Sequence, residues 1–143
     1  NIKRLLDKSA RGMVYGVDIS DVSVEKSKTV NQRHIGKRCE IYKGSADRLP
    51  FENNFIDLAT AFETVYFWKD MKKCFTEIKR VLKSGGKCVI VNDPGDPNKH
   101  WEEMIPDMTS WKPEELETYM KEAGFIDVQI TKNKFMFGVF GTK

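Results

Sequence analysis

The sequence is short of several things. Nowhere in its 143 residues is there an apolar run near the ~20 that a membrane-spanning helix requires. A helical membrane protein is excluded. Asn1 to Ser9 is polar and helical in tone and holds no signal-peptide core. No Met stands at position 1, so the chain is expected to begin inside a longer protein. The three cysteines, Cys39, Cys74 and Cys88, are odd in number, far apart and set in apolar stretches. Secreted scaffolds use even counts and zinc sites use close pairs, so buried thiols in a reducing, cytoplasmic setting are expected. The two histidines, His34 and His100, form no ligand cluster, and no metal is expected. A basic arm is missing as well: 24 basic and 21 acidic residues leave a net charge of +3 with the signs interleaved. Nucleic acid is therefore not indicated as a partner.

With 10 Gly, 5 Pro, 40% hydrophobic and 11% aromatic residues, the composition argues against disorder and against a collagen-like repeat. One compact domain over residues 1–143 is expected. Met13 to Ile19 reads as a buried strand ending at a polar tip. The stretch from Ser20 to about Ile35 reads as a helix, with Ser20 or Asp21 as N-cap and Gly36 as terminator. Cys39 to Tyr42 is a second strand, Lys43 to Asn54 a loop, and Ile56 to Phe62 a third strand. Met71, Cys74, Phe75, Ile78, Val81 and Leu82 then fall on one stripe of a 3.6-residue period, a helix expected to stop at Ser84-Gly85-Gly86. Lys87 to Val91 makes a fourth strand. Asn92 to Trp111 shows no clean period and is expected to be a long loop or lid. Pro113 suits the first turn of a helix that Gly124 closes, and Asp127 to Ile130 with Phe135 to Phe140 reads as an antiparallel pair. Strands separated by helices, with nearly continuous apolar cores, give an α/β, Rossmann-like and mainly parallel sheet with helices on both faces and an antiparallel C-terminal pair.

In open parallel sheets ligands lie beyond the carboxyl ends of the strands, which directs attention to Asp18. A carboxylate there suits a ribose diol, although it also suits capping of the next helix. Dinucleotide folds carry a glycine-rich turn about 20 residues before such an acid; that distance runs off the start of the chain, and no G-x-G occurs in it.

Four blocks stand in order: Asp18-Ile19-Ser20; Gly44-Ser45-Ala46-Asp47-Arg48-Leu49-Pro50-Phe51; Asn54-Phe55-Ile56-Asp57-Leu58; and Glu77 through Gly86. Together they resemble class I S-adenosylmethionine-dependent methyltransferases, tightly over residues 13 to 91 and more loosely beyond. The resemblance implies S-adenosylmethionine as cofactor. Asp18 would hold its ribose diol and Ile19 would pack on adenine. Ala46 would offer a backbone amide, and Asp47 would accept from the exocyclic amine. Ala61, Phe62 and Glu63 would border the methionine part and the methyl group. Catalytic candidates are Glu63, Tyr66 and His100. Tyr66, Phe67 and Trp68 form an aromatic cluster that suits either substrate contact or core packing.

The acceptor implied is a small molecule. The family's first strand and glycine-rich motif are expected to precede Asn1, and residues 1–143 without them are expected to bind cofactor weakly if at all and to be impaired in activity. Without that central strand, the strands ending at Asp18 and Phe62 are expected to pair directly, to borrow a strand from a neighbour, or to meet across a homodimer. Asp18 alone also suits a nicotinamide-dependent oxidoreductase, against which the Asp47 block and the Lys83-Ser84-Gly85-Gly86 turn argue. A noncatalytic binding or assembly module is the alternative of a different class.

Overall fold

A computed structural model describes residues 1–93 and 101–143, with only the backbone of Trp101 and Glu102. The chain divides into two compact units, Asn1–Pro50 and Phe51–Lys143. None of the described helices is long and apolar enough to cross a membrane.

The first unit contains helix α1 (Ile2–Lys8), strand β1 (Val14–Asp18), helix α2 (Asp21–Val30) and strand β2 (Cys39–Lys43). β1 and β2 pair in parallel with Val14 opposite Cys39 and Asp18 opposite Lys43. Two adjacent parallel strands need a crossover, which α2 supplies. Leu6, Val14, Val24, Cys39 and Ile41 form the buried cluster. α1 lies close to β1 at Gly16, where an added Cβ would meet Ile2 Cδ1 at 2.8 Å.

α2 starts at the expected cap, with Ser20 Oγ accepting from Ser23 N at 3.3 Å. It stops at Val30, about five residues before the expected end. Asn31 explains the early stop: its side-chain amide donates to the Ser27 carbonyl at 2.8 Å, and turns carry the chain on to β2. Gly36 does take a positive φ of 74°, but it serves the turn into β2, where its N–H donates to the Cys39 carbonyl.

The second unit contains β3 (Ile56–Phe62), a 3₁₀ turn (Val65–Phe67), α3 (Met71–Val81), β4 (Leu82–Asn92), α4 (Trp101–Met104), α5 (Pro113–Glu122), β5 (Ile126–Lys132) and β6 (Phe137–Thr142). Its sheet runs β3-β4-β6-β5. β3 and β4 are parallel, and β6 is antiparallel to both β4 and β5. All six residues of the predicted stripe, Met71 through Leu82, are buried. α3 begins under Asp70, whose carboxylate accepts from Lys73 N at 2.9 Å. α5 supplies Leu116 and Met120 to the same core.

β4 corrects an expectation. Leu82 already has extended backbone (ψ 140°) and pairs with Ile56, so the helix passes into the strand without a loop. Ser84, Gly85 and Gly86 therefore lie inside β4. Gly85 N donates to the Lys143 carbonyl, and Lys143 N donates to the Gly86 carbonyl, so the end of the chain takes up this irregular start of the strand. The stretch expected to be loop or lid includes the short helix α4, and residues 94–100 lie outside the described residues.

The described strands form two sheets, one in each unit. The approach to β3 is fixed by Asn54 N and Phe55 N, which donate to the carbonyls of Arg80 and Val81 at the end of α3. That puts Ile56 into register with Leu82.

Candidate functional site

Within the first unit, the residues singled out by sequence gather at the carboxyl ends of two neighbouring strands. Asp18 closes β1 opposite Lys43, and Gly44 N donates to the Asp18 carbonyl at 3.0 Å, one step past the ladder. Gly44 is needed for that approach: an added Cβ would stand 3.0 Å from Val17 Cγ1. Asp18 Oδ1 accepts from Ser20 N at 2.9 Å, which fixes the carboxylate and sets up the α2 cap. Its other oxygen makes no hydrogen bond among the described residues. Ile19 is exposed beside it.

Past β2, Arg48 N donates to the Ser45 carbonyl at 3.0 Å and closes a tight turn. Ala46 and Asp47 are its two central residues, both half-buried. Ala46 N makes no hydrogen bond among the described residues, whereas Asp47 has a partner. A carboxylate oxygen, an open amide and an exposed aliphatic side chain thus belong to the segments that leave the carboxyl ends of two adjacent strands.

The second unit holds the other candidates. Ala61, buried, and Phe62, half-buried, end β3. Glu63 follows with φ 56°, one of the few residues other than glycine with positive φ. Its Oε1 accepts from Asp93 N at 2.6 Å and its Oε2 from the Tyr66 hydroxyl at 3.1 Å. The same hydroxyl lies 3.1 Å from the Asp93 carbonyl. Burial and the Glu63 carboxylate push the Tyr66 phenol well above its ordinary range.

The aromatic cluster divides. Trp68 stands edge-on to the buried Phe75 at 5.7 Å and belongs to the core, while Phe67 is exposed. His100 lies outside the described residues. The three cysteines are buried free thiols, and burial pushes Cys88 up to about 12.

Sequence reasoning passed over Asn92 and Asp93. The Asn92 side chain is completely buried, and neither of its amide atoms has a partner among the described residues. Such an amide costs about 1–3 kcal/mol if left unpaired. The available signal was a polar residue closing the apolar run Cys88 to Val91.

The parallel strand pairs and the antiparallel C-terminal pair, taken with the comparisons that follow, place the chain among the class I S-adenosylmethionine-dependent methyltransferases. A family model described as a methyltransferase domain matches residues 1–90, and the chain belongs to that family, whose cofactor is S-adenosylmethionine. A 2-methyl-6-phytyl-1,4-hydroquinone methyltransferase of Arabidopsis thaliana chloroplasts is 31% identical over 118 residues, 81% of this chain and 35% of the relative. The chain thus spans about a third of that relative's length.

Among solved structures, a SAM-dependent methyltransferase from Aquifex aeolicus superposes with TM-score 0.77 at 20% identity, over 98% of this chain and 74% of the other. A Haemonchus contortus phosphoethanolamine N-methyltransferase, solved with phosphomonomethylethanolamine and S-adenosylhomocysteine, gives TM-score 0.81 at 18% identity, over 99% of this chain and 46% of the other. At those identities the structural likeness speaks for the fold. None of these comparisons supports the oxidoreductase or the noncatalytic module.

Proposed function

We propose that the protein transfers a methyl group from S-adenosylmethionine to a small-molecule acceptor, and that the first unit grips the adenosine. The observation that carries this reading is the Asp18–Lys43 register, which hangs Asp18 and the Ser45–Arg48 turn from adjacent strand ends. The open Asp18 oxygen accepts from the ribose hydroxyls, and Ile19 covers one face of adenine. Ala46 N donates to the ring, and Asp47 accepts from its amine. Ala61 and Phe62 are assigned to the methionine end by resemblance alone.

When bound, the cofactor supplies an electrophilic methyl on a sulfonium. Its leaving group departs neutral, so what the chain must contribute is alignment and exclusion of water. The similarity to a hydroquinone methyltransferase makes a hydroquinone ring the first acceptor to assay. A homodimer or strand exchange at the β1 and β3 edges is checked by light scattering, and a cytoplasmic location by fractionation.

Calorimetric titration with S-adenosylmethionine and with NAD tests the cofactor. Asp18→Asn keeps an oxygen for Ser20 N and replaces the open one by an NH2. S-adenosylmethionine affinity is expected to fall about 10- to 100-fold, the scale of one or two hydrogen bonds to a charged group. Unchanged affinity removes Asp18 from the site. Both titrations are made on residues 1–143 and on the longer parent protein: binding of NAD in place of S-adenosylmethionine restores the oxidoreductase, and binding of neither by the parent favours the module.

A further inference from the structure

The tip of β3 carries a conformation that costs about 1–2 kcal/mol in a residue with a Cβ, because Glu63 sits at φ 56°. What this turn achieves is placement of a carboxylate. One Glu63 oxygen takes the Asp93 N–H at 2.6 Å, beyond the end of β4, and the other faces the Tyr66 hydroxyl at 3.1 Å. The backbone of the same 3₁₀ turn is held from outside by Thr109 N, which donates to the Tyr66 carbonyl at 2.9 Å. Tyr66 is therefore fixed at both its main chain and its ring tip.

A phenol has one proton to give. Among the described residues, both groups within reach of the Tyr66 hydroxyl, Glu63 Oε2 and the Asp93 carbonyl, can only accept. The proton is committed to the protein, which leaves the oxygen to act as an acceptor at the carboxyl ends of β3 and β4, where open parallel sheets place their ligands. Burial and the facing carboxylates of Glu63 and Asp93 keep the phenol neutral through the physiological range. An acceptor-only group recognises a donor, and the exposed Phe67 one residue on adds apolar surface on the same turn.

We propose that Tyr66 Oη accepts a hydrogen bond from an O–H of the methyl acceptor, and that Glu63 is the positioning residue that orients the Tyr66 hydroxyl. This rests on the methyltransferase reading and deepens it, since it requires an acceptor bearing a hydroxyl.

The test uses a matched pair of probes under anaerobic conditions. The protein is first saturated with S-adenosylhomocysteine, then titrated with 2-methyl-1,4-hydroquinone and with its dimethyl ether, which has the same ring and no O–H. The hydroquinone is expected to bind about tenfold tighter than the ether, the scale of one hydrogen bond. Tyr66→Phe is expected to abolish that preference, and Glu63→Gln to reduce it by about threefold. Far-UV circular dichroism and the thermal midpoint report that both variants are folded, and each is titrated at saturating S-adenosylhomocysteine. The ratio of the two probes is the decisive readout, because a merely structural role for either residue weakens both probes alike. Equal affinity for the two probes in the unmodified protein overturns the proposal. So does absence of hydroquinone binding by protein that binds S-adenosylhomocysteine, or a preference that survives Tyr66→Phe. Failure of the longer parent protein to bind S-adenosylhomocysteine at all instead overturns the methyltransferase reading on which the proposal stands.

Discussion

The two units are built to different depths. The first holds two strands around a cluster of five buried side chains, Leu6, Val14, Val24, Cys39 and Ile41. The second sets α3 and α5 against a four-stranded sheet and completely buries Val65, Phe75, Leu82, Ile90, Leu116, Met120 and Val139. A two-stranded sheet is marginal without covering elements, so the first unit leans on α1 and α2 far more than the second leans on any one helix. The residues proposed to hold the nucleoside thus sit on the thinner scaffold, and the strained Glu63 sits on the deeper one. That division is reasonable, since a strained turn persists only where its surroundings over-determine it.

The contrast is broken most severely at Phe75. Its ring stands edge-on to Trp68 at 5.7 Å and to Phe125 at 6.4 Å, and it is fully buried. Phe75→Ala is expected to cost about 3–5 kcal/mol by urea denaturation, the range for deleting a buried aromatic ring. A cost under about 1 kcal/mol would show that the second unit can collapse around the hole, against the depth argued for it.

The next effect probes the thinner unit. Leu6 is buried on α1, and Leu6→Ala is expected to cost about 2–3 kcal/mol, near the lower end for such truncations because a small core has fewer neighbours to lose. Hydrogen exchange separates local from global loss. The β1 and β2 amides should exchange faster in the variant while those of β4 and β6 keep their protection. Equal acceleration in both sheets would show one cooperative body and dissolve the contrast.

Much of this architecture is legible in the sequence because its cause is local. The α3 stripe is a periodicity of adjacent turns, and every one of its six positions is buried. The tips of β1 and β3 are marked by the change from apolar to acidic residues at Asp18 and Glu63. What sequence reading misplaces depends on partners far along the chain. The glycines at 85 and 86 look like a helix stop, yet they belong to β4 because Lys143 supplies their hydrogen bonds. Asn31 looks like one more polar helix position until its amide takes the Ser27 carbonyl. The commitment of β3 to β4 turns on backbone bonds from residues 54 and 55 to the end of α3, which no spacing reveals. At the site, residue types and order are readable for Asp18, Ala46 and Asp47. The Glu63–Tyr66–Asp93 arrangement is not, because it joins two strand tips thirty residues apart.

The smallest expected effect compares the units through their helix caps. Asp70 caps α3 at 2.9 Å with a full charge beside the positive end of the helix, and Ser20 caps α2 at 3.3 Å with a neutral hydroxyl. Asp70→Ala is expected to cost about 1–2 kcal/mol and Ser20→Ala about 0.5–1 kcal/mol. Ser20→Ala also sharpens the assignment of Asp18. The substitution removes the hydroxyl that caps α2 but keeps the backbone N–H that Asp18 Oδ1 accepts at 2.9 Å. The carboxylate should therefore stay in place while the helix loosens. S-adenosylmethionine affinity, measured by calorimetry, is expected to stay within about twofold, a change under 0.5 kcal/mol on the scale where tenfold is about 1.4. A fall as large as that predicted for Asp18→Asn would mean that α2 itself, rather than the Asp18 carboxylate, sets cofactor affinity in the first unit.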